Sequence, residues 1–111
     1  MKTTSAVASL SALAQDSRLA IFRTLVQAGS AGLSAGKISE ATQIAPSSIT
    51  FHMKELVFAN MVKSRSEGRF VIYTANFATM RELIVFLTEN CCVGANCDAT
   101  QTITTQKGNG Q

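Results

Sequence analysis

The chain has 111 residues, 46% of them hydrophobic and 15% charged, enough apolar material for one folded domain and too little charge for a disordered one. A net charge of +3 and a pI of about 9.0 suit a negatively charged partner, nucleic acid foremost, and the sparse charge leaves apolar surface for a second copy to cover. No run of about 18 apolar residues exists to span a membrane, and Ser9 and Ser11 interrupt the stretch a signal peptide would need, so a cytoplasmic location with reduced thiols is expected.

In chain order, Val7, Leu10 and Leu13 recur at helical spacing and predict an amphipathic helix over Ser5–Ala14. Asp16 suits the N-cap of a second helix whose apolar face is Leu19, Ile21, Phe22, Leu25 and Val26, ended by Gly29-Ser30-Ala31-Gly32. Ser34 caps a short third helix, Ala35–Thr42, that buries Ile38 and Ala41. Gln43-Ile44-Ala45 makes a tight turn, and Pro46 suits the first position of a fourth helix. That helix is expected to reach Asn60, with Ile49, Met53, Leu56 and Val57 inward. Two β segments, Val62–Ser66 and Arg69–Thr74, then pair across Glu67-Gly68. Asn76 caps a last helix, Phe77–Asn90, with Met80, Leu83, Ile84 and Leu87 in a stripe. Beyond Asp98 little remains to pack. The expected division is one domain over residues 5–98 and a flexible tail over 99–111.

The order helix, turn, helix, hairpin predicts a mainly α fold with a small β-hairpin, the winged helix-turn-helix. At about 100° per residue, with Ile49 at the core, Met53 and Leu56 stay inward, while Ser47, Thr50, Phe51 and Lys54 point the other way. Hydroxyls, a ring and a lysine with no acid among them are suited to base edges and phosphates. Lys63, Arg65 and Arg69 flank the hairpin turn, where a wing would meet a DNA backbone; the plainer role for them is a solvated edge ribbon. His52 lies on the flank of the fourth helix and suits packing or phosphate positioning better than metal ligation, since no partner ligand stands at i±4.

Cys91-Cys92-Val93-Gly94-Ala95-Asn96-Cys97 holds all three cysteines within seven positions. Cys91 lies four residues beyond Leu87 and is expected to continue the last helix's buried stripe, with Gly94 letting Cys97 fold back. Three thiolates suit a soft centre, and trivalent arsenic or antimony takes three sulfurs because its lone pair fills the fourth direction. Zinc would want a fourth ligand, and only Asp98 is near. Copper(I) and cadmium remain open, as do a redox pair between Cys91 or Cys92 and Cys97, and cysteines with no ligand at all.

The stretch Ile44-Ala45-Pro46-Ser47-Ser48-Ile49-Thr50-Phe51-His52-Met53-Lys54-Glu55-Leu56 resembles the recognition helix of the ArsR/SmtB family of metal-responsive repressors. Residues 60–73 resemble that family's wing, with its Glu-Gly-Arg turn and tyrosine, and Asp16-Ser17-Arg18-Leu19-Ala20-Ile21-Phe22 its second-helix signature. The resemblance implies a homodimer, built through the first and last helices, that represses transcription from an inverted-repeat operator in double-stranded DNA. It places Ser47, Ser48, Thr50 and His52 on DNA, with Arg69 from the wing; Phe51, Lys54 and Arg65 complete the candidate surface. Ala45 and Phe51 depart from the pattern, where the family often has Ser and a polar or basic residue.

Many arsenic sensors of that family carry their cysteines on the helix before the recognition helix, where residues 37–42 have none; this chain resembles other members, with a vicinal pair and a third cysteine at the end of the last helix. The predicted inducer is therefore As(III), or Sb(III), on Cys91, Cys92 and Cys97, with no organic cofactor. Enzymatic function is not expected: the chain has one histidine, no paired carboxylates, no phosphate loop and no CxxC motif. Two alternatives stand beside the arsenic reading. One is a thiol-redox or other soft-metal repressor; the other is a winged-helix protein-interaction module that binds no DNA.

Overall fold

The computed structural model describes residues 1–92. Five helices and three strands follow one another: α1 Thr3–Leu13, α2 Asp16–Ala28, a 3-10 turn Gly29–Ala31, β1 Leu33–Ser34, α3 Ala35–Thr42, α4 Pro46–Phe58, β2 Val62–Glu67, β3 Phe70–Ala75 and α5 Phe77–Thr88. The strands form one antiparallel sheet in the order β1-β3-β2. The predicted tail and Cys97 lie outside the described residues.

Capping chemistry sets most helix boundaries. Ser34 Oγ accepts from the Lys37 amide at 3.3 Å and Asn76 Oδ1 from the Thr79 amide at 3.2 Å, so α3 and α5 begin where the sequence predicts. At α2 the cap is Gln15 rather than Asp16: Gln15 Oε1 accepts from the Arg18 amide at 2.9 Å, and Asp16 becomes the first helical residue, where its charge favours the helix dipole. Arg18 also donates from Nε to the Ala12 carbonyl at 2.5 Å, occupying the exposed end of α1. The last helix ends at Thr88 rather than Asn90, because Glu89 leaves the helical region (φ −55°, ψ 134°) and Asn90 takes a left-handed φ of 57°.

Ile21, Leu25, Ile38, Ile49, Leu56 and Met61 are fully enclosed and form the centre of the core. Burying a side chain of this size contributes about 1.5–3 kcal/mol, and six at one centre fix how α2, α3 and α4 meet. Several predicted core positions face outward instead. Leu19, Ala41, Val57, Ile84 and Leu87 are exposed, since one helical turn presents only part of a broad apolar stripe to so small a body. On α1 the chain's own core takes the small residues Ala6, Ser9 and Ala12, which let this helix lie close on α2, α4 and α5; Val7 and Leu10 are left outward.

The hairpin differs from expectation by one residue. Glu67 pairs with Phe70, so the two-residue turn is Gly68-Arg69, not Glu67-Gly68. Gly68 has φ +61°, as the first central position of a two-residue hairpin turn requires. A strand absent from the sequence reading, β1, adds to the opposite edge of β3 through Leu33↔Tyr73 and Ser34↔Ile72.

Candidate nucleic-acid interface and thiol site

α3 and α4 are joined by Gln43-Ile44-Ala45, the predicted turn. Gln43 adopts φ 62° and closes α3, and Ser39 Oγ donates across the turn to the Ile44 carbonyl at 2.6 Å. This bond and the enclosed Ile38 and Ile49 fix the angle at which α4 leaves. Ala45 makes no side-chain cap, leaving the N-terminal end of α4 open to an outside acceptor.

Along α4, Ile49, Met53 and Leu56 are buried, and Ser47, Ser48, Thr50, Phe51 and Lys54 are exposed on the outer side. Thr50 Oγ1 donates back to the Pro46 carbonyl at 3.4 Å, which leaves its lone pairs outward as acceptors. His52 is half-buried; its Nδ1 is enclosed and has no hydrogen-bond partner, and its ring meets Phe51 edge-on with centroids 5.7 Å apart. The predicted surface residues of α4 thus share one side of the helix. A cleft of about 430 Å³ separates that side from the hairpin, with Thr50, Lys54 and Val57 on one wall and Ser64 and Tyr73 on the other.

The hairpin cations do not share one role. Arg69 sits at the tip, in the turn itself, and Lys63 is exposed on β2. Arg65 instead points its guanidinium across the sheet edge, donating to the carbonyls of Ser30 at 3.2 Å and Ala31 at 2.9 Å, with Nε on Glu67 Oε2 at 2.8 Å. It braces the hairpin against the 3-10 turn, a role that rests on partners more than thirty residues away in sequence.

A polar junction that sequence reading missed joins α4 to α5. Asn60 follows α4 with φ 63°, a conformation asparagine tolerates, and its side-chain amide donates to Thr79 Oγ1 at 3.2 Å. Asn76 Nδ2 in turn donates to the Asn60 carbonyl at 3.1 Å, and the Asn76 amide to the Met61 carbonyl at 2.8 Å. Asn76 and Thr79 are buried, so each of these bonds is costly to lose. The only sequence signal was an asparagine at each helix boundary.

Cys91 does not continue a buried stripe. It lies beyond the end of α5, is exposed, and its amide donates to the Thr88 carbonyl at 3.0 Å. Cys92 follows with φ 57°, and the two sulfurs stand 3.2 Å apart. Cys92 is disulfide-bonded. Two of the three predicted sulfur ligands are therefore adjacent and near the surface; only with the Cys92 disulfide reduced could one soft atom bridge them. Among the described residues no three His, Cys, Asp or Glu side chains gather as a metal site, and no helix is long and apolar enough to cross a membrane.

Helix, fixed turn, outward helix and β-ribbon make this a winged helix-turn-helix protein. A family model described as a helix-turn-helix domain matches residues 13–65, from the end of α1 into β2. No curated protein sequence is a significant match. Among solved structures, an ArsR-like transcriptional regulator from Rhodococcus sp. RHA1 is 22% identical with a TM-score of 0.69, covering 97% of this chain and 96% of that one. HlyU from Vibrio cholerae is 28% identical with a TM-score of 0.64 over 83% of this chain and 99% of its own, and in its reduced form 27% identical with a TM-score of 0.61 over 81% and 92%. A homodimeric winged helix-turn-helix DNA-binding domain from Mycobacterium bovis is 17% identical with a TM-score of 0.65, over 97% and 89%.

Proposed function

We propose that the chain is an ArsR/SmtB-type transcriptional repressor that binds an inverted-repeat operator as a homodimer and lets go when trivalent arsenic, or antimony, occupies Cys91, Cys92 and Cys97. The observation that carries the regulatory half is the pair of adjacent sulfurs 3.2 Å apart just past α5, which become ligands once the Cys92 disulfide is reduced. The DNA-binding half rests on the outward side of α4 and the Arg69 hairpin tip, in a fold shared with ArsR-like regulators. Val7 and Leu10 on α1, with Ile84, Val85 and Leu87 on α5, leave exposed apolar side chains on two mutually packed helices, the surface a second copy would cover.

In the dimer, two α4 helices would enter successive major grooves about 34 Å apart. Cys91 and Cys92 lie just past one end of α5, and the other end is tied by Asn76 and Thr79 to Asn60, just after α4. Gathering three sulfurs on one ion reorganises the exit of a helix that is both dimer surface and neighbour of the reading helix, and so spoils the half-site spacing. The ligand acts only through its differential affinity for the two arrangements.

A second reading keeps the DNA role and changes the signal. The disulfide at Cys92 and the likeness to HlyU in its reduced form favour a repressor switched by thiol oxidation. Variants separate the two. With full-length protein on DNA from upstream of its own gene, Cys91→Ser and Cys97→Ser should each abolish release by arsenite while leaving DNA affinity within about twofold. Release by arsenite that survives Cys97→Ser would refute the three-sulfur site. Release by peroxide in the wild type, without any by arsenite, would establish the redox reading instead.

A further inference from the structure

We infer that Phe51 reads the 5-methyl group of a thymine in the operator's major groove; the inference rests on the DNA-binding reading and gives that surface part of its specificity. Phe51 lies in the second turn of α4, directly opposite Ile49, Met53 and Leu56, and is 60% exposed. Exposing a ring at the centre of a face that otherwise carries Ser47, Thr50 and Lys54 costs apolar hydration unless something apolar meets it. His52, half-buried with an enclosed Nδ1, meets the ring edge-on, with 67° between ring planes.

Base edges in the major groove offer donors, acceptors and a single apolar feature, the thymine methyl. Phenylalanine has neither donor nor acceptor, so only that feature matches it. Phe58 lies on the same row and is 93% exposed, but it is the last residue of α4. Reading helices meet bases through their N-terminal part, which leaves Phe51 as the ring within reach.

The test selects binding sites from duplexes with a randomised core, using the full chain and its Phe51→Ala variant, and then replaces each selected thymine by uracil, which removes only the methyl. The wild type should enrich a fixed thymine in each half-site. Uracil there should weaken its binding about fourfold per half-site, and about fifteenfold when both are changed, the worth of one methyl-sized group at each. Phe51→Ala should bind thymine and uracil duplexes equally. The inference fails if uracil leaves wild-type affinity unchanged at every selected thymine, or if Phe51→Ala keeps the same preference. If no site is enriched at all, the DNA-binding reading fails and takes this inference with it.

Discussion

Reversing one charge, Lys54→Glu, should lower operator affinity by about a hundredfold or more while leaving the melting temperature nearly unchanged. Lys54 is exposed on the outer side of α4, one turn beyond Thr50, on the wall of the cleft that separates α4 from the hairpin. A duplex backbone lying in that cleft would place a phosphate beside the ammonium. A hydrogen bond to a charged group contributes about 1.5–3 kcal/mol, and a symmetric dimer loses it twice, which gives about 10²–10⁴ in affinity. Glutamate also sets a new repulsion against DNA. The fold itself should be indifferent, because glutamate and lysine have similar helix propensities and the side chain buries nothing. Fluorescence anisotropy with labelled upstream duplex measures the loss, and the salt dependence should become shallower by about 0.9 for each phosphate contact removed. A protein-interaction module on the same fold would show no such loss, so this variant separates the two classes of function.

Gly32→Ala should be the most damaging small substitution in the sheet. Gly32 has φ 69° and ψ −176°, a region open essentially to glycine alone. A Cβ there would fall 2.5 Å from the Tyr73 carbonyl oxygen and 2.7 Å from both the Ile72 and Thr74 methyls, so β1 could not lie on β3. Conformation costs about 1–3 kcal/mol and overpacking about as much again, enough to lower the melting temperature by about 10 °C or more. Gly29→Ala is the control: its φ of +71° is similar, but nothing stands within 4 Å of the added carbon. Thermal melts by circular dichroism should therefore rank Gly32→Ala well below Gly29→Ala. Equal losses would mean that backbone conformation alone decides, and that the close β1–β3 approach contributes nothing.

How far each element could be read from sequence follows from how local its causes are. Helices α3 and α4 were readable because Ser34, Gln43 and Pro46 set their ends within a few residues. The hairpin was readable in kind but not in register: Gly68 signals the turn, but only the pairing of Glu67 with Phe70 decides which residue shares it. A two-residue strand such as β1 has no periodicity, and its place depends on how closely Gly32 can approach Tyr73. Helix periodicity likewise identified Val7, Leu10, Ile84 and Leu87 as apolar without showing that the chain's own core leaves them outside. Arg65 shows the limit for charge: its position beside the hairpin turn suggests a DNA-facing cation, but not its bonds to the carbonyls of Ser30 and Ala31. For Cys91, extending the stripe from Leu87 assumed that α5 continues, whereas Glu89 and Asn90 end it.

The regulatory claim is tested most directly by one titration: upstream duplex against the reduced wild-type chain, with and without arsenite, followed by anisotropy. A coupling of about 3 kcal/mol predicts that arsenite weakens DNA binding more than a hundredfold, and that prior alkylation of the thiols removes the response. Unchanged DNA affinity with arsenite bound to the cysteines would contradict the coupling between the sulfur site and the reading helices. An undiminished response after alkylation would contradict the site itself.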